Sequence, residues 1–189
     1  YSLFIEKGYN LLSKNGVLSY IVPISITSSD SMSGIQRLIE QNCKSIKISS
    51  YAVRPQPVFD NSVVNTSILF FKKTLTEVEE ILMTKMYRKS GNINLNSLVN
   101  GLSFIDVKGY KIFGRYPKIS DVIEKNILRK LSNIQTDVGS LIKNQGSSIF
   151  YRTTGGRYFK VITNYSTGST KEKAIYFDKK IGDLIGAIL

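Results

Sequence analysis

Between Tyr51 and Lys73 the chain runs YAVRPQPVFDNSVVNTSILFFKK, a proline-stiffened loop that leads straight into an apolar, β-branched stretch. Pro55 and Pro57 each fix φ, and each biases the residue before it (Arg54, Gln56) toward extended backbone. Asp60 and Asn61 favour a turn. Residues 62–71, SVVNTSILFF, predict a strand. Phe59 is therefore a large aromatic on a stiff, polar loop just ahead of a strand. Two roles fit it. Either it tucks under the loop as a hydrophobic anchor, which is the commoner fate of an aromatic, or it is displayed for a ligand.

The elements before this stretch predict an open α/β sheet. SLFIEKGYNLLSKN, residues 2–15, has helical periodicity, with Phe4, Gly8, Leu11 and Leu12 on one face and Gly16 as the residue that ends it. VLSYIVPIS is a short apolar run, which suits a strand buried on both faces of a parallel sheet. SMSGIQRLIEQN predicts a second helix, with Ser31 or Ser33 as its N-cap. KSIKISSY alternates as a half-exposed strand does. The loop between this strand and the next is too short for a helical crossover, so the last two strands are expected to be antiparallel. Ligands of open α/β sheets sit outside the carboxyl ends of parallel strands. Residues 23–29 and the RPQPVF loop are both expected at that edge.

After Thr74 the texture changes. TLTEVEEILMTKMYRKS reads as a short helix or a linker, and residues 74–118 as an irregular connection. ISDVIEKNILRKLSNI predicts an amphipathic helix capped by Ser120, with Ile119, Val122, Ile123, Ile127 and Leu131 near one face. SSIFYRTTGGRYFKVITNY predicts a β-hairpin about a Thr-Gly-Gly turn, KEKAIYF a further strand, and DKKIGDLIGAIL a helix. The domain reading is thus 1–73, 74–118 and 119–189.

Charge and residue type narrow the chemistry. There are 26 Lys and Arg against 14 Asp and Glu, a formal net charge of +12, which favours a polyanionic partner such as nucleic acid. A Lys-rich composition without such a partner is the plainer alternative. The excess concentrates in the last hairpin. Arg152, Arg157, Lys160, Lys171, Lys173, Lys179 and Lys180 face only Glu172 and Asp178, with Tyr151, Tyr158, Phe159 and Tyr165 interleaved. Such a pattern grips a nucleic-acid backbone, or is simply a solvated face. The chain has no histidine and a single cysteine, Cys43. Imidazole chemistry, an intramolecular disulfide and a cysteine-based zinc cluster are thereby excluded for these residues, and no metal site is expected. The apolar runs are too short to span a membrane and no signal peptide is visible, so the expected setting is cytoplasmic. Tyr1 and the final GAIL both read as mid-helix, which predicts a piece of a longer protein.

Four pieces of the chain resemble one family. FIEKGYNLLSKNGVLSYIVP, residues 4–23, is similar to the helix and strand that follow the catalytic loop of adenine-N6 DNA methyltransferases. SYAVRPQPVFDNSVVNTSILFFKK, residues 50–73, resembles their last hairpin. IFYRTTGGRYFKV, then STKEKAIYF with GAIL, resemble a recurring segment of the recognition domain in the restriction–modification type. Residues 74–148 are unmatched. The resemblance implies the C-terminal part of a Rossmann-like methyltransferase sheet ending in an antiparallel hairpin, followed by an α+β target-recognition region. It implies S-adenosylmethionine as cofactor and double-stranded DNA as partner, with a restriction or specificity subunit as a further candidate. The family's glycine-rich cofactor loop and its Asn/Asp-Pro-Pro-Tyr/Phe tetrad do not occur in this sequence. They are expected upstream of Tyr1, so no catalytic residue is assigned and these residues alone are not expected to methylate.

The aromatic of the family's final hairpin matches Phe59, which the resemblance places against a flipped adenine. Arg54 then meets a phosphate or closes the pocket, and Pro55 and Pro57 hold the ring in place. Arg152, Arg157, Lys160, Lys171 and Lys173 are the expected DNA-backbone contacts. The competing reading is a non-catalytic nucleic-acid-binding module in which Phe59 belongs to the core. A methyltransferase acting on RNA or protein is a third.

Overall fold

The computed structural model describes residues 1–91, 94–154 and 162–188. It is a mixed α/β structure in two compact units, Tyr1–Asn133 and Ile134–Leu189.

In the first unit, α1 (Ser2–Leu11) leads to β1 (Val17–Pro23), α2 (Ser33–Asn42), β2 (Cys43–Tyr51), β3 (Thr66–Lys73) and β4 (Glu80–Tyr87). The short α3 (Leu95–Asn100), β5 (Ile105–Asp106) and α4 (Val122–Ser132) complete it. The sheet order is β1-β3-β2-β4-β5. β3 is antiparallel to both β1 and β2, whereas β4 is parallel to β2. The β2–β3 pairing is the antiparallel one predicted from the short loop, but β3 lies between β1 and β2. The carboxyl ends of β1, β2 and β4 consequently share one edge, with the start of β3 among them.

One face of this sheet carries the core. Ile46 and Ile48 of β2, Leu69 and Phe71 of β3, and Ile81 and Met83 of β4 meet Ile5 and Tyr9 of α1 and Ile35 and Ile39 of α2. The α1 face is only partly the one the periodicity picked out: Gly8 lies against β1 and Leu12 packs on the core, but Phe4 and Leu11 are each 74% exposed and Ile5 and Tyr9 are buried instead. Gly8 explains the choice. A side chain there would collide with Leu18 and Tyr20 of β1, so the helix lies on the strand where glycine admits it. At its C-terminus Asn15, not Gly16, takes the left-handed conformation (φ 67°). Lys73 Nζ donates to the Tyr9 and Leu12 carbonyls at 3.0 and 2.9 Å, satisfying end-of-helix acceptors from the far end of β3.

Several other local expectations change. β1 is buried on one face only: Val22 is buried, while Val17 and Ile21 are about half exposed. A continuous apolar run does not reveal which face will be covered, and among the described residues β1 pairs with β3 alone. No side chain caps α2; Met32 occupies the N-cap and Ser33 is already helical. Residues 62–65 are loop, and the strand begins at Thr66. The region 74–118 is not irregular throughout, since it supplies β4, α3 and β5. Asp121, not Ser120, caps α4, accepting from the Glu124 amide while Glu124 accepts from Ser120. Of the predicted apolar stripe on α4 only Ile119, just before the helix, packs on the core. Val122, Ile123, Ile127 and Leu131 are more than half exposed.

Cys43 is fully buried at the start of β2, where burial pushes its thiol up to about 11 against the opposing effect of Lys73. It is expected to resist a disulfide-exchange reagent near neutral pH and to react at once in urea, because only the thiolate attacks. Fast native-state labelling would contradict the burial.

The second unit is a three-stranded antiparallel sheet, order β7-β6-β8, built from β6 (Ser147–Arg152), β7 (Ile162–Thr163) and β8 (Glu172–Phe177), with α5 (Lys179–Ile188) packed on it. The predicted hairpin pairing is present as β6 with β7. Its Thr-Gly-Gly turn falls largely outside the described residues, as do Arg157 and Lys160. Ile149 and Phe177 form the small buried centre. Among the described residues no helix is long and apolar enough to cross a membrane.

Candidate functional site

The loop from Ala52 to Asn65 hangs from the carboxyl end of β2 and returns to the start of β3. It is a succession of bends, not an extended stretch, with Gln56 alone forming a β-bridge, to Lys89. The Arg54–Pro55 bond is cis. Asp60 and Asn61 form the expected turn: Asn61 is left-handed, and the Ser62 amide donates to the Phe59 carbonyl at 3.2 Å. The base of the loop is clamped. Asn65 Oδ1 accepts from the Val53 amide at 2.9 Å, and the Asn65 carbonyl accepts from the Ile24 amide at 2.9 Å. One asparagine therefore ties the ends of β1, β2 and the start of β3 together.

Phe59 is partly buried, between the two roles the sequence left open. Its ring meets Tyr51 edge-to-face, with centroids 5.9 Å apart and planes at 84°. Tyr51 in turn lies 6.4 Å from Tyr87, its register partner on β4. Tyr51 is 1% exposed and its hydroxyl donates to Ser49 Oγ at 2.9 Å; burial pushes its phenol up. Phe59 thus caps a row of three rings whose inner members are fixed by strands. An edge-to-face contact engages one face or one edge of a ring, so Tyr51 meets Phe59 from one side only.

Beside this loop an open slot of about 440 Å3 lies at the same sheet edge, lined by Pro23, Ile24, Ser25, Val53, Val63, Val64 and Asn65. The two segments expected at the edge, after β1 and after β2, do converge there. Val63 at the rim is 87% exposed. The slot has apolar walls and presents no carboxylate to a ribose and no glycine-rich turn to a charged cofactor. These residues do not by themselves fit S-adenosylmethionine.

Of the other residues expected at this site, Arg54 and Pro55 are exposed and Pro57 is partly buried. Arg88 and Lys89 were not singled out from the sequence, yet they follow directly on β4 and reach the same loop. Arg88 Nη1 lies 3.4 Å from the Arg54 carbonyl, a long contact that marks proximity more than strength. EILMTKMY does not declare itself a strand from its residues alone, but once β4 pairs parallel to β2 its next residues are delivered to the carboxyl edge.

In the second unit Lys171 and Lys173 are exposed, and neither forms an ion pair among the described residues. Arg152 is placed differently. It sits opposite Glu172 in the β6–β8 register, its Nη2 is 3.5 Å from Thr167 Oγ1, and its Nε is buried without a partner among the described residues. Glu172 accepts from Ser166 Oγ and from the Thr167 amide and hydroxyl; these bonds, with Arg152 adding to them, hold its carboxyl below the usual range. Arg152 thus borders an ordered loop, whereas the two lysines face solvent.

Comparison with known proteins relates the chain to restriction–modification methylases. Residues 1–59, ending on Phe59, match the family described as Eco57I restriction-modification methylase. Over 179 residues, 84% of the chain, it is 23% identical to the type II restriction enzyme and methyltransferase RM.Eco57I of Escherichia coli, and it spans 17% of that protein's length. Among solved structures, the DrdV–DNA complex is similar over 55% of this chain and 12% of its own (12% identity, TM-score 0.41). The ATP-dependent type ISP restriction-modification enzyme LlaBIII bound to DNA is similar over 52% and 8% (14% identity, TM-score 0.36). Neither structural likeness bears on function.

Proposed function

We propose that these residues are the distal part of the catalytic domain and the start of the target-recognition region of a site-specific adenine-N6 DNA methyltransferase of a restriction–modification system. The sheet is then the end of a Rossmann-like methyltransferase sheet. S-adenosylmethionine, the methyl donor, is bound by parts of the whole protein outside this chain, in keeping with the slot's lack of groups suited to it.

One observation carries the reading. A partly exposed aromatic stands on Tyr51, itself backed by Tyr87, at the carboxyl edge of the sheet. A base taken out of the DNA stack loses stacking that an aromatic face partly restores. With Tyr51 behind it, Phe59 offers that face without first being ordered. Arg54, Pro55 and Pro57 shape the loop that carries it. Lys171 and Lys173, with Arg152, Arg157 and Lys160, are the residues assigned to the DNA backbone.

The test is Phe59→Ala in the whole protein. Stacking on a protein aromatic is worth about 1–3 kcal/mol per base. Methylation efficiency should therefore fall about five- to 160-fold, and the fluorescence rise of 2-aminopurine at the target adenine should be lost. An unchanged rate and an unchanged fluorescence signal would leave Phe59 as a packing residue on Tyr51 and favour the non-catalytic module.

A further inference from the structure

We propose that Arg88 and Lys89, together with Arg54, form a phosphate clamp that grips the DNA strand next to the Phe59 ring. The proposal rests on the reading that this chain binds DNA, and it adds a site in the first unit separate from the basic hairpin.

Topology puts the three cations in one place. β4 runs parallel to β2, with Tyr51 opposite Tyr87, so the residues that leave both strands emerge at the same edge. Arg54 leaves β2 three residues after Tyr51, and Arg88 and Lys89 leave β4 directly after Tyr87. Two contacts confirm the meeting: the Gln56–Lys89 bridge and the approach of Arg88 Nη1 to the Arg54 carbonyl. Lys85, two residues before Tyr87 on the same strand, lies 5.8 Å from the Tyr87 ring and adds to the same sign of charge.

These cations are not committed elsewhere. The ion pairs among the described residues are Lys44–Glu79, Lys111–Glu40 and Arg115–Asp30, and none involves Arg54, Arg88 or Lys89. Arg54 and Arg88 are exposed. Gathering like charges on adjacent loops costs free energy unless an anion joins them. The anion that fits is a phosphodiester. A guanidinium offers paired donors to phosphate oxygens, and an ammonium adds a point charge. The aromatic beside them decides for nucleic acid over an acidic peptide: a nucleotide joins a flat base to a phosphate, and this edge joins a partly buried aromatic ring to a cationic cluster.

The experiment is the salt dependence of binding to a fluorescein-labelled DNA duplex, followed by anisotropy in the whole protein. Each lost phosphate contact lowers the slope of log K against log[salt] by about 0.9 on B-form DNA. Arg88→Gln with Lys89→Gln should therefore flatten the slope by about 1.8, with each single change giving about half of that. Arg88→Lys should retain the slope. Lys44→Ala, at the opposite end of β2 and paired with Glu79, should leave it as it was. A wild-type slope in the double variant, with an unchanged melting temperature, overturns the clamp, as does an equal loss from Lys44→Ala. The outcome is separable from that of the base-stacking reading. A flattened slope with 2-aminopurine fluorescence untouched by Phe59→Ala keeps the clamp and removes the stacking role. The reverse pattern removes the clamp alone.

Discussion

Phe71→Ala is expected to destabilise the first unit by about 3–5 kcal/mol, the range for truncating a buried phenylalanine where the cavity cannot close. The site allows little collapse. Phe71 is fully buried in β3, flanked in register by Leu18 of β1 and Ile46 of β2, so strands fix the backbone on both sides. α1 and α2 cover it from above through Ile5, Tyr9, Ile35 and Ile39. Phe70, its neighbour in sequence, is the internal control. Its ring points to the other face of the sheet, beside Ile68 and Lys47, where it is only partly buried. Phe70→Ala should cost well under half as much. Urea melts followed by circular dichroism measure both. Equal losses at the two positions would mean that the sheet is covered alike on both faces.

That pair also marks what could be read in advance. Residues 66–71 are legible as a strand because β-branched and aromatic residues crowd together after a turn, and the short loop before them dictates an antiparallel partner. The side chosen by the core is not legible from the run ILFF, which is apolar on both faces. The same ambiguity underlies the expectation that β1 is covered on both faces and that Phe4 and Leu11 join Gly8 and Leu12 on the buried side of α1. There the decision was made by Gly8 against Leu18 and Tyr20, a contact between elements that periodicity within one element does not contain. β4 was missed for a related reason. EILMTKMY carries two charges and two methionines, which helices also accept, and its strand identity depends on the pairing partner β2 offers. With β4 went Arg88 and Lys89. Of the site itself, the turn at Asp60–Asn61 followed from residue type and the convergence of the post-β1 and post-β2 segments from the geometry of open sheets, whereas residue type left Phe59 between anchor and display. The support under Phe59 did not, because Tyr51 and Tyr87 lie on strands whose adjacency only the fold creates.

That support yields the second large effect. The chain contains no tryptophan, so Phe59→Trp places a single indole at the end of the ring row. In this background Tyr51→Ala should cost about 3–5 kcal/mol, as truncation of a buried aromatic does. It should also shift the indole emission to the red and raise its quenching by iodide, because the ring has lost the surface it rests on. Tyr51→Phe separates packing from polarity. It keeps the edge-to-face neighbour and removes only the hydroxyl that donates to Ser49. Its cost should be about 1–2 kcal/mol, chiefly the loss of a buried hydrogen bond, with the emission unmoved. If Tyr51→Ala leaves emission and quenching as they were, the platform does not depend on Tyr51, and the order of Phe59 must come from its own loop, through the Asn65 clamp. If Tyr51→Phe moves the emission as far as Tyr51→Ala does, the Ser49 hydrogen bond and not the ring contact sets the position. The two variants therefore decide whether an aromatic at this edge is preset by the sheet beneath it, on which its use as a base-stacking surface rests.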